Sequence, residues 1–250
     1  MPREKVNPIL PPGLALAWEM EPHLPRRGPK PGHSVQSVIQ AALELADSQG
    51  LAAVSLPNVA RCLGFSTNAI YRYVASKDEL LALLYDVGCG MPPKAPRSAR
   101  SWRRGARLWT LALIELYRRR PWLLDVPIRS APMTPNVLHW LEVFLELMDR
   151  AELTMPERVQ CAQLLDGYAR STARLTRDLM AGDAGRIAGP SILEFLLPLL
   201  QQRELRRVHS VMGIMLSNTE QETTLKEEVH FGLDRILDGI EVLVGKRSSG

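Results

Sequence analysis

The chain has 250 residues, of which 46% are hydrophobic and 23% are charged, and its net charge is +4 at pH 7. This composition suits one large or two ordinary soluble domains. No apolar run approaches the roughly 20 residues that span a bilayer, and the opening residues do not form a signal peptide. We therefore expect a cytoplasmic protein that makes no contact with a membrane.

The three cysteines are too far apart for a disulfide framework or a C-x-x-C metal site. Cys62 and Cys161 fall at helical core positions, which predicts that both thiols are buried. A redox-sensing thiol is the alternative.

Residues 1–33 are predicted to form a flexible arm, because they hold eight of the 19 prolines and little periodic apolar pattern. The end of the arm carries Arg26, Arg27 and Lys30 with no acidic residue among them. Such a segment can lie along DNA phosphates or enter a minor groove, and it also fits a solubilising tail. Within the arm, Leu14–Trp18 is apolar enough to pack against the folded chain.

A first long helix is predicted over residues 34–49. Ser34 is suited to cap its N-terminus, and Gly50 is suited to stop it. Apolar residues between them recur at steps of three and four, which gives the helix one buried face.

Two short amphipathic helices follow, Ser55–Leu63 and Ser66–Val74, and together they indicate a helix-turn-helix. Gly64 and Phe65 between them leave room only for a sharp turn, and glycine permits the left-handed backbone that ends the first helix. The capping box from Ser76 to Glu79 then starts another helix at once.

The second short helix is predicted to read DNA, because polar and aromatic side chains crowd its first turns and suit a major groove. Thr67, Asn68 and Arg72 are placed to reach base edges. Ser55 opens the preceding helix, where backbone amides and the helix dipole favour a phosphate. On spacing alone, such a helix pair also occurs as a plain packing unit. The predicted DNA-binding residues are Arg26, Arg27, Lys30, Ser55, Ser66, Thr67, Asn68, Tyr71, Arg72, Tyr73 and Lys77.

This stretch resembles the DNA-binding domain of the tetracycline-repressor (TetR) family of transcriptional regulators, over roughly residues 34–85. The resemblance rests on the first helix, the turn at Gly64, the string Ala69-Ile-Tyr-Arg-Tyr73 and the tail Lys77-Asp-Glu-Leu-Leu81. It implies that Tyr71 and Lys77 hold phosphates of a double-stranded DNA operator.

A domain boundary is predicted at residues 91–100, because two glycines and three prolines between 88 and 96 exclude a continuous helix. The charge excess lies just beyond, since residues 91–130 carry ten basic residues against two acidic ones, whereas residues 1–90 are formally neutral. The six basic residues from Lys94 to Arg107 suit either extra phosphate contacts or a solvated linker and helix start. The predicted divisions are an arm (1–33), a helix-turn-helix domain (34–90), a linker (91–100) and a helical domain (101–250).

The rest of the chain, residues 101–250, is predicted to be helical, because apolar residues recur at steps of three and four and no segment alternates with period two. The predicted fold is therefore all-α. The predicted helices of residues 101–250 are Trp102–Arg120, Pro135–Arg150, Pro156–Met180, Ser191–Gln201, Arg203–Leu216 and Thr219–Val244.

Two of these helices carry apolar stripes with alternating steps of four and three, the seam typical of coiled coils and four-helix bundles. The stripes suit packing within one chain as well as a bundle between two subunits. In the TetR family the last helix and an earlier long one form the dimer interface, so the resemblance favours a homodimer. The predicted interface residues are Leu165, Thr172, Leu175, Leu179, Val229, Leu233, Ile236 and Ile240.

The segments 116–125, 132–136 and 165–168 are similar to the tetracycline-repressor type of C-terminal domain. This similarity implies a cavity for a small-molecule effector whose binding changes the spacing of the two recognition helices and releases DNA. No pattern of His and polar residues matches a metal–tetracycline site. Large side chains on the middle helices suit an apolar or aromatic ligand, and each of them also fits an ordinary core. The predicted lining is Trp109, Leu113, Met133, Trp140, Phe144, Leu164 and Tyr168.

The sequence indicates no catalytic, cofactor or metal site. Its five histidines are far apart, and no nucleotide-binding or nucleophile motif occurs. We therefore predict a ligand-responsive transcriptional regulator, most simply a repressor that binds a palindromic operator as a dimer. The alternative is a small-molecule binding or sequestering protein whose helix-turn-helix does not bind DNA, and an all-α enzyme has no supporting residues.

Overall fold

The computed structural model describes residues 10–18, 34–64, 66–94, 101–128, 133–181, 190–217 and 221–248. These residues form α-helices and two short 3₁₀ turns but no β-strand, which confirms the all-α prediction.

By its contacts the chain divides into two compact units, residues 1–150 and 151–250. The first unit holds Leu14–Ala17 (α1), Val35–Gln49 (α2), Leu56–Cys62 (α3), Thr67–Ile70 (α4), Lys77–Cys89 (α5), Trp102–Arg119 (α6) and Pro135–Leu147 (α7), with 3₁₀ turns at Leu51–Ala53 and Pro121–Asp125. The second holds Met155–Ala181 (α8), Pro190–Gln202 (α9), Arg206–Ser217 (α10) and Gln221–Ser248 (α11).

The division by contacts differs from the predicted domain boundary at residues 91–100, which lies inside the first unit. Helix α5, before that boundary, packs against α7, which follows it. The predicted division into a DNA-binding and a helical domain therefore stays a prediction. Among the described residues, no helix is both long enough and apolar enough to cross a bilayer.

Helix α2 begins and ends where its sequence signals indicate. The Ser34 hydroxyl accepts a hydrogen bond from the Ser37 amide, and the Ser37 hydroxyl accepts one from the Ser34 amide. Gly50, with φ of 79°, ends the helix in a backbone conformation that favours glycine. The buried face includes Val38 and Ala42, neither of which is exposed to solvent.

The turn between α3 and α4 also follows its sequence. The Ser55 hydroxyl caps α3 by accepting from the Asn58 amide at 3.3 Å. Gly64 takes a φ of 71° at the turn. Ile70 of α4 is fully buried, and Phe65 lies outside the described residues.

Helix α4 is shorter than the predicted Ser66–Val74. It ends at Ile70, and the chain continues in a hydrogen-bonded turn in which the Arg72 and Tyr73 amides donate to carbonyls three residues earlier. Ser66 has the backbone conformation of an N-cap but makes no side-chain capping hydrogen bond. The aromatic and β-branched residues after Ile70 have weaker helix propensity, and Ser76 begins the next helix soon afterwards.

The prediction that Cys62 is buried is wrong, whereas Cys161 is buried as predicted. The buried face of α3 contains Leu56, Val59 and Ala60, and Cys62 lies about 110° around the helix from the centre of that face. Burial raises the pKa of the Cys161 thiol, and the nearby Glu157 carboxylate adds to this effect.

The apolar stretch in the N-terminal arm packs against α5. Gly13, at the start of α1, has a φ of 79°, and a Cβ there would lie 3.1 Å from the Ala82 Cβ and from the Glu79 carbonyl oxygen. The Trp18 indole donates to the Met133 carbonyl at 2.8 Å. The basic residues Arg26, Arg27 and Lys30 lie outside the described residues.

In the second unit, α8 packs against α11 through small and apolar side chains. Leu165 and Ala169 of α8 are fully buried, as are Leu233 and Leu237 of α11. The two helices approach closely at Gly232, where a Cβ would lie 2.6 Å from the Tyr168 hydroxyl oxygen.

Candidate functional site

The side chains predicted to touch DNA are presented by α4 and the turn that follows it. Thr67, Asn68 and Arg72 are exposed, and Tyr71 is 52% exposed although it is a large aromatic residue. Ser66 is exposed as well, whereas Tyr73 is half-buried. Tyr71, Arg72 and Tyr73 lie in the turn rather than in the helix, so their reach depends on how this turn is held.

Lys77 is exposed at the first position of α5. The Ser76 hydroxyl caps this helix by accepting from the Glu79 amide at 3.1 Å, and the Glu79 carboxylate accepts from the Ala75 amide. The acidic side chain of Glu79 is therefore engaged with its own backbone. Its hydrogen bond helps to fix the turn that carries the recognition residues to the start of α5.

The Ser55 side chain is half-buried and caps α3 by accepting from the Asn58 backbone amide. The side-chain amide of Asn58 donates to the Ala53 carbonyl at 2.8 Å. The backbone amides at the start of α3 remain the predicted phosphate contact at this position.

Arg61 is a residue that the motif analysis missed. It is exposed near the end of α3, and residues 61–77 contain Arg61, Arg72 and Lys77 but no acidic residue. A count of charge over this short window would have shown that the surface is locally basic, although residues 1–90 are neutral as a whole.

The arginines at the end of α6 are bound to a carboxylate. Glu115 accepts from Arg118 and from Arg119, each at 2.7 Å, and these hydrogen bonds lower its pKa to about 2. Two of the ten basic residues of 91–130 therefore share one carboxylate in an exposed cluster, which keeps a net charge of +1.

Helix α5 is tied to α7 through a buried carboxylate, Asp86, that is 6% exposed. Its Oδ1 accepts from the Asn136 amide at 2.8 Å and from the Val137 amide at 3.3 Å. The Asn136 side chain donates to the Asp86 carbonyl and to Oδ2, both at 3.1 Å. Near this junction, the Trp140 indole donates to the Gly90 carbonyl at 3.0 Å.

Helix α5 is held on another side by the 3₁₀ turn Pro121–Asp125. The Trp122 indole donates to the Asp47 carboxylate of α2 at 2.7 Å. Arg120 forms an ion pair with the same carboxylate at 3.2 Å. The Arg120 guanidinium also donates to the Gly88 carbonyl at 2.9 Å. Trp122 lies so close to α5 that a Cβ on Gly88 would be 2.4 Å from its ring. Displacement of the 3₁₀ turn or of α7 would thus be transmitted to the helix that follows the recognition residues.

Four of the predicted ligand-lining residues are buried in the first unit. The ring centroids of Trp109 and Phe144 are 4.7 Å apart, and those of Trp109 and Trp140 are 6.3 Å apart in an edge arrangement. The Trp109 indole donates to the Trp140 carbonyl at 2.9 Å, and Leu113 is 4% exposed. The structure thus gathers the aromatic residues into one cluster with their polar groups already paired.

The other three predicted ligand-lining residues are an exposed residue of the first unit, Met133, and two residues of α8 in the second unit, Leu164 and Tyr168. Met133 is 52% exposed and Leu164 is 53% exposed. The Tyr168 hydroxyl donates to the Val229 carbonyl at 2.8 Å and so joins α8 to α11. For these three residues, a contact with ligand stays a prediction.

The predicted dimer stripes are partly internal. Leu165, Leu233 and Ile240 are buried within the single chain, so they pack in its own core, and their contact with a partner stays a prediction. Leu175 and Leu179 are exposed, while Thr172, Val229 and Ile236 are half-buried. The buried face of α8 follows Cys161, Leu165, Ala169 and Ala173, which leaves the predicted stripe divided between core and surface.

A helix-turn-helix whose residues 61–77 contain three basic and no acidic side chains indicates a protein that binds duplex DNA and regulates transcription. Comparison with known proteins identifies the family. Residues 38–84 match "Bacterial regulatory proteins, tetR family", and residues 95–244 match "Tetracyclin repressor-like, C-terminal domain". The chain belongs to the TetR family of transcriptional regulators.

Individual relatives agree with this assignment. The HTH-type transcriptional repressor DrrR1 of Streptomyces coeruleorubidus is 35% identical over 239 residues, which cover 94% of this chain and 86% of that protein. The structure of ActR from Streptomyces coelicolor in complex with actinorhodin has a TM-score of 0.70 at 18% identity, over 84% of this chain and 95% of that one. A TetR protein of Acinetobacter baumannii AYE in complex with minocycline has a TM-score of 0.59 at 17% identity, over 84% and 97% of the two chains. These structures share the fold.

The protein is thus a transcriptional regulator, with a helix-turn-helix region of the tetR family and a C-terminal region of the tetracycline-repressor type. The alternative, a sequestering protein with an idle helix-turn-helix, is not supported. The family is one of transcriptional regulators rather than of enzymes.

Proposed function

We propose that this protein is a repressor that binds a palindromic operator as a homodimer and leaves it when a small apolar or aromatic molecule binds. The observation that carries the DNA-binding part is the exposed group Thr67, Asn68, Tyr71 and Arg72 in a window that has no acidic residue. The repressor role is supported by DrrR1, which matches almost the whole chain.

Arg72 and Lys77 have different roles in this proposal. An exposed arginine beside the recognition helix can donate two hydrogen bonds to O6 and N7 of guanine, and this contact depends on sequence. Lys77, at the start of α5, contacts a phosphate and so contributes equally to every sequence.

Dimerisation follows from the geometry of DNA. Two recognition helices must be held about 34–36 Å apart to enter successive major grooves on one side of a palindrome. Exposed apolar side chains on the long helices supply a surface for this contact, namely Leu175, Leu179 and Met180 on α8 and Val242 on α11. A single folded chain gains nothing from exposing them.

The effector class follows from the cluster of Trp109, Trp140 and Phe144. Aromatic rings that meet edge to face also pack well against an aromatic ligand. The complexes of ActR with actinorhodin and of a TetR protein with minocycline show that relatives of this fold take small-molecule ligands. In this chain the cluster is packed, so an effector would enter by displacing part of it.

The test is selection of genomic fragments by the purified protein at near-physiological salt, followed by affinity measurements on the selected site and on random DNA. Wild-type protein should enrich one palindromic site. Arg72→Ala should lose about 1–3 kcal/mol on that site and little on random DNA. Arg206→Ala, which removes an exposed arginine of α10 in the second unit, is the control for loss of charge and should bind as wild type does.

Two results would count against the proposal. Equal losses on both DNAs for Arg72→Ala would show that this residue does not read bases. No enrichment by the wild-type protein would show that the free protein does not bind an operator, and would point to a regulator that needs its ligand in order to bind.

A further inference from the structure

The N-terminus of α7 is capped by a side chain from another helix. Thr134 occupies the N-cap position and Pro135 the first helical position. The amides of the next two residues, Asn136 and Val137, both donate to Oδ1 of Asp86, which lies 50 and 51 positions earlier, in the last turn of α5. A carboxylate is a strong acceptor at this position, because it faces the positive end of the α7 dipole.

The residue that would normally cap α7 is displaced. Thr134 has φ of −83° and ψ of 153°, the extended conformation of an N-cap residue, yet its side chain makes no capping hydrogen bond. It is 8% exposed, and within the described part of the chain its Oγ1 has no hydrogen-bond partner. A buried hydroxyl without a partner is unfavourable, and such groups are rare in folded proteins.

The two observations share one cause. A threonine at an N-cap accepts from the amide two or three positions ahead, which here belongs to Asn136 or Val137. Asp86 already occupies both amides. Because the Thr134 backbone is already in the capping conformation, rotation about its χ1 is the local change that capping by Thr134 requires once Asp86 withdraws.

We propose that Asp86 and Thr134 are alternative caps of α7, and that exchange between them positions α5 for operator binding. With Asp86 as the cap, α5 is attached to α7. With Thr134 as the cap, the first turn of α7 remains satisfied while α5 loses its carboxylate contact with α7. This inference rests on the proposed function, because α5 directly follows the turn that carries Arg72.

The arrangement also connects the exchange to the aromatic cluster. Trp140 lies on α7, its ring meets Trp109, and its indole donates to the Gly90 carbonyl just beyond α5. A molecule that displaces Trp140 would loosen this hydrogen bond and shift α7 relative to Asp86. The unsatisfied Thr134 hydroxyl then gains a partner, which lowers the cost of the movement.

The test is a double-mutant cycle of Asp86→Ala and Thr134→Val, read by hydrogen exchange of the Asn136 and Val137 amides in the protein without DNA. Thr134→Val alone should leave the protection unchanged, because the hydroxyl is unused in this state. Asp86→Ala alone should retain most of the protection, because Thr134 becomes the cap. The double variant should lose about tenfold or more in protection relative to either single variant.

Operator affinity supplies the second readout. Asp86→Ala should bind the selected site at least about tenfold more weakly, whereas Thr134→Val should bind it as tightly as wild type does or more tightly, since the competing cap is removed. A merely structural role for Asp86 predicts that protection and affinity fall together. If Asp86→Ala does not fold, Asp86→Asn keeps the shape and one acceptor, and Thr134→Val should reduce protection in that background but not in wild type.

Each adverse result has one meaning. Additive losses of protection in the cycle, or a full loss in Asp86→Ala alone, would overturn the cap exchange even if operator binding is found. Retained protection with unchanged operator affinity in Asp86→Ala would overturn the coupling to α5. Failure of the wild-type protein to select any DNA would refute the proposed function, while the exchange measured without DNA would still be decided.

Discussion

Substitution of Gly232 by alanine tests how α8 and α11 pack. A Cβ at this position would lie 2.6 Å from the Tyr168 hydroxyl oxygen and 3.0 Å from the nearest ring carbon, so the ring has to move. Movement also strains the hydrogen bond from Tyr168 to the Val229 carbonyl. Overpacking of this kind costs about 1–3 kcal/mol, and the better helix propensity of alanine offsets up to about 1 kcal/mol of it.

Gly239 supplies the matched control, because it lies in the same helix and a Cβ there would meet nothing within 4 Å. Gly239→Ala should stabilise the protein by up to about 1 kcal/mol. Gly232→Ala should therefore be less stable than Gly239→Ala by about 1–3 kcal/mol, or roughly 2–12 °C in Tm. The assay is thermal unfolding followed by far-ultraviolet circular dichroism, at one protein concentration because a dimer would make Tm concentration-dependent.

Tyr168→Phe identifies the contact. It removes the oxygen that the new Cβ at position 232 would meet, so it should cost less stability in the Gly232→Ala background than in wild type. A clash with Tyr168 is excluded if Gly232→Ala is as stable as Gly239→Ala, or if the effects of Gly232→Ala and Tyr168→Phe simply add.

Three further outcomes are expected. Lys77→Ala should weaken binding to all DNA sequences alike and lower the slope of log affinity against log salt by about one, and a loss confined to the selected site would contradict a phosphate contact. Gly88→Ala should push Trp122 away from α5 and lower Tm, because the new Cβ would lie 2.4 Å from the ring, and an unchanged Tm would show that the ring yields freely. Glu115→Gln should cause a small loss of stability at pH 7, since the pKa of Glu115 in the folded protein is about 2, below its ordinary value of 4.5. This stabilisation is present above pH 4.5 and is lost as the pH falls towards 2, so unfolding curves of the variant and wild type should converge there.

The helix ends were predictable where a local side chain decides them. Ser34, Ser55 and Ser76 each accept from an amide three residues ahead, which spacing alone reveals. The length of α4 was not predictable from apolar periodicity, because its C-terminal residues keep the helical pattern while lacking helix propensity. Cys62 was misplaced because it lies three residues after the buried Val59, yet on the edge of the buried face that is exposed to solvent.

The exposed residues of the candidate site were predictable from the sequence, whereas the hydrogen bonds that join α5 to α7 were not. Thr67, Asn68 and Arg72 follow from the motif. The hydrogen bonds of Asp86 join residues 50 positions apart, and no local pattern marks a carboxylate near the end of one helix as the cap of another. The two apolar stripes were ambiguous because a helix between a core and a partner shows apolar residues on both faces, and only the packing shows that Leu165 points inwards.

The distribution of tryptophan gives the protein a natural optical probe. All five tryptophans, at positions 18, 102, 109, 122 and 140, belong to the first compact unit. Four of their indole N–H groups donate to the Met133, Trp140 and Gly90 carbonyls and to the Asp47 carboxylate. Intrinsic tryptophan fluorescence therefore reports on the DNA-binding helices and their supports, whereas the second unit, which has no tryptophan, is silent in this signal. A fluorescence change on adding a small molecule would mean that the molecule has altered the environment of the first unit.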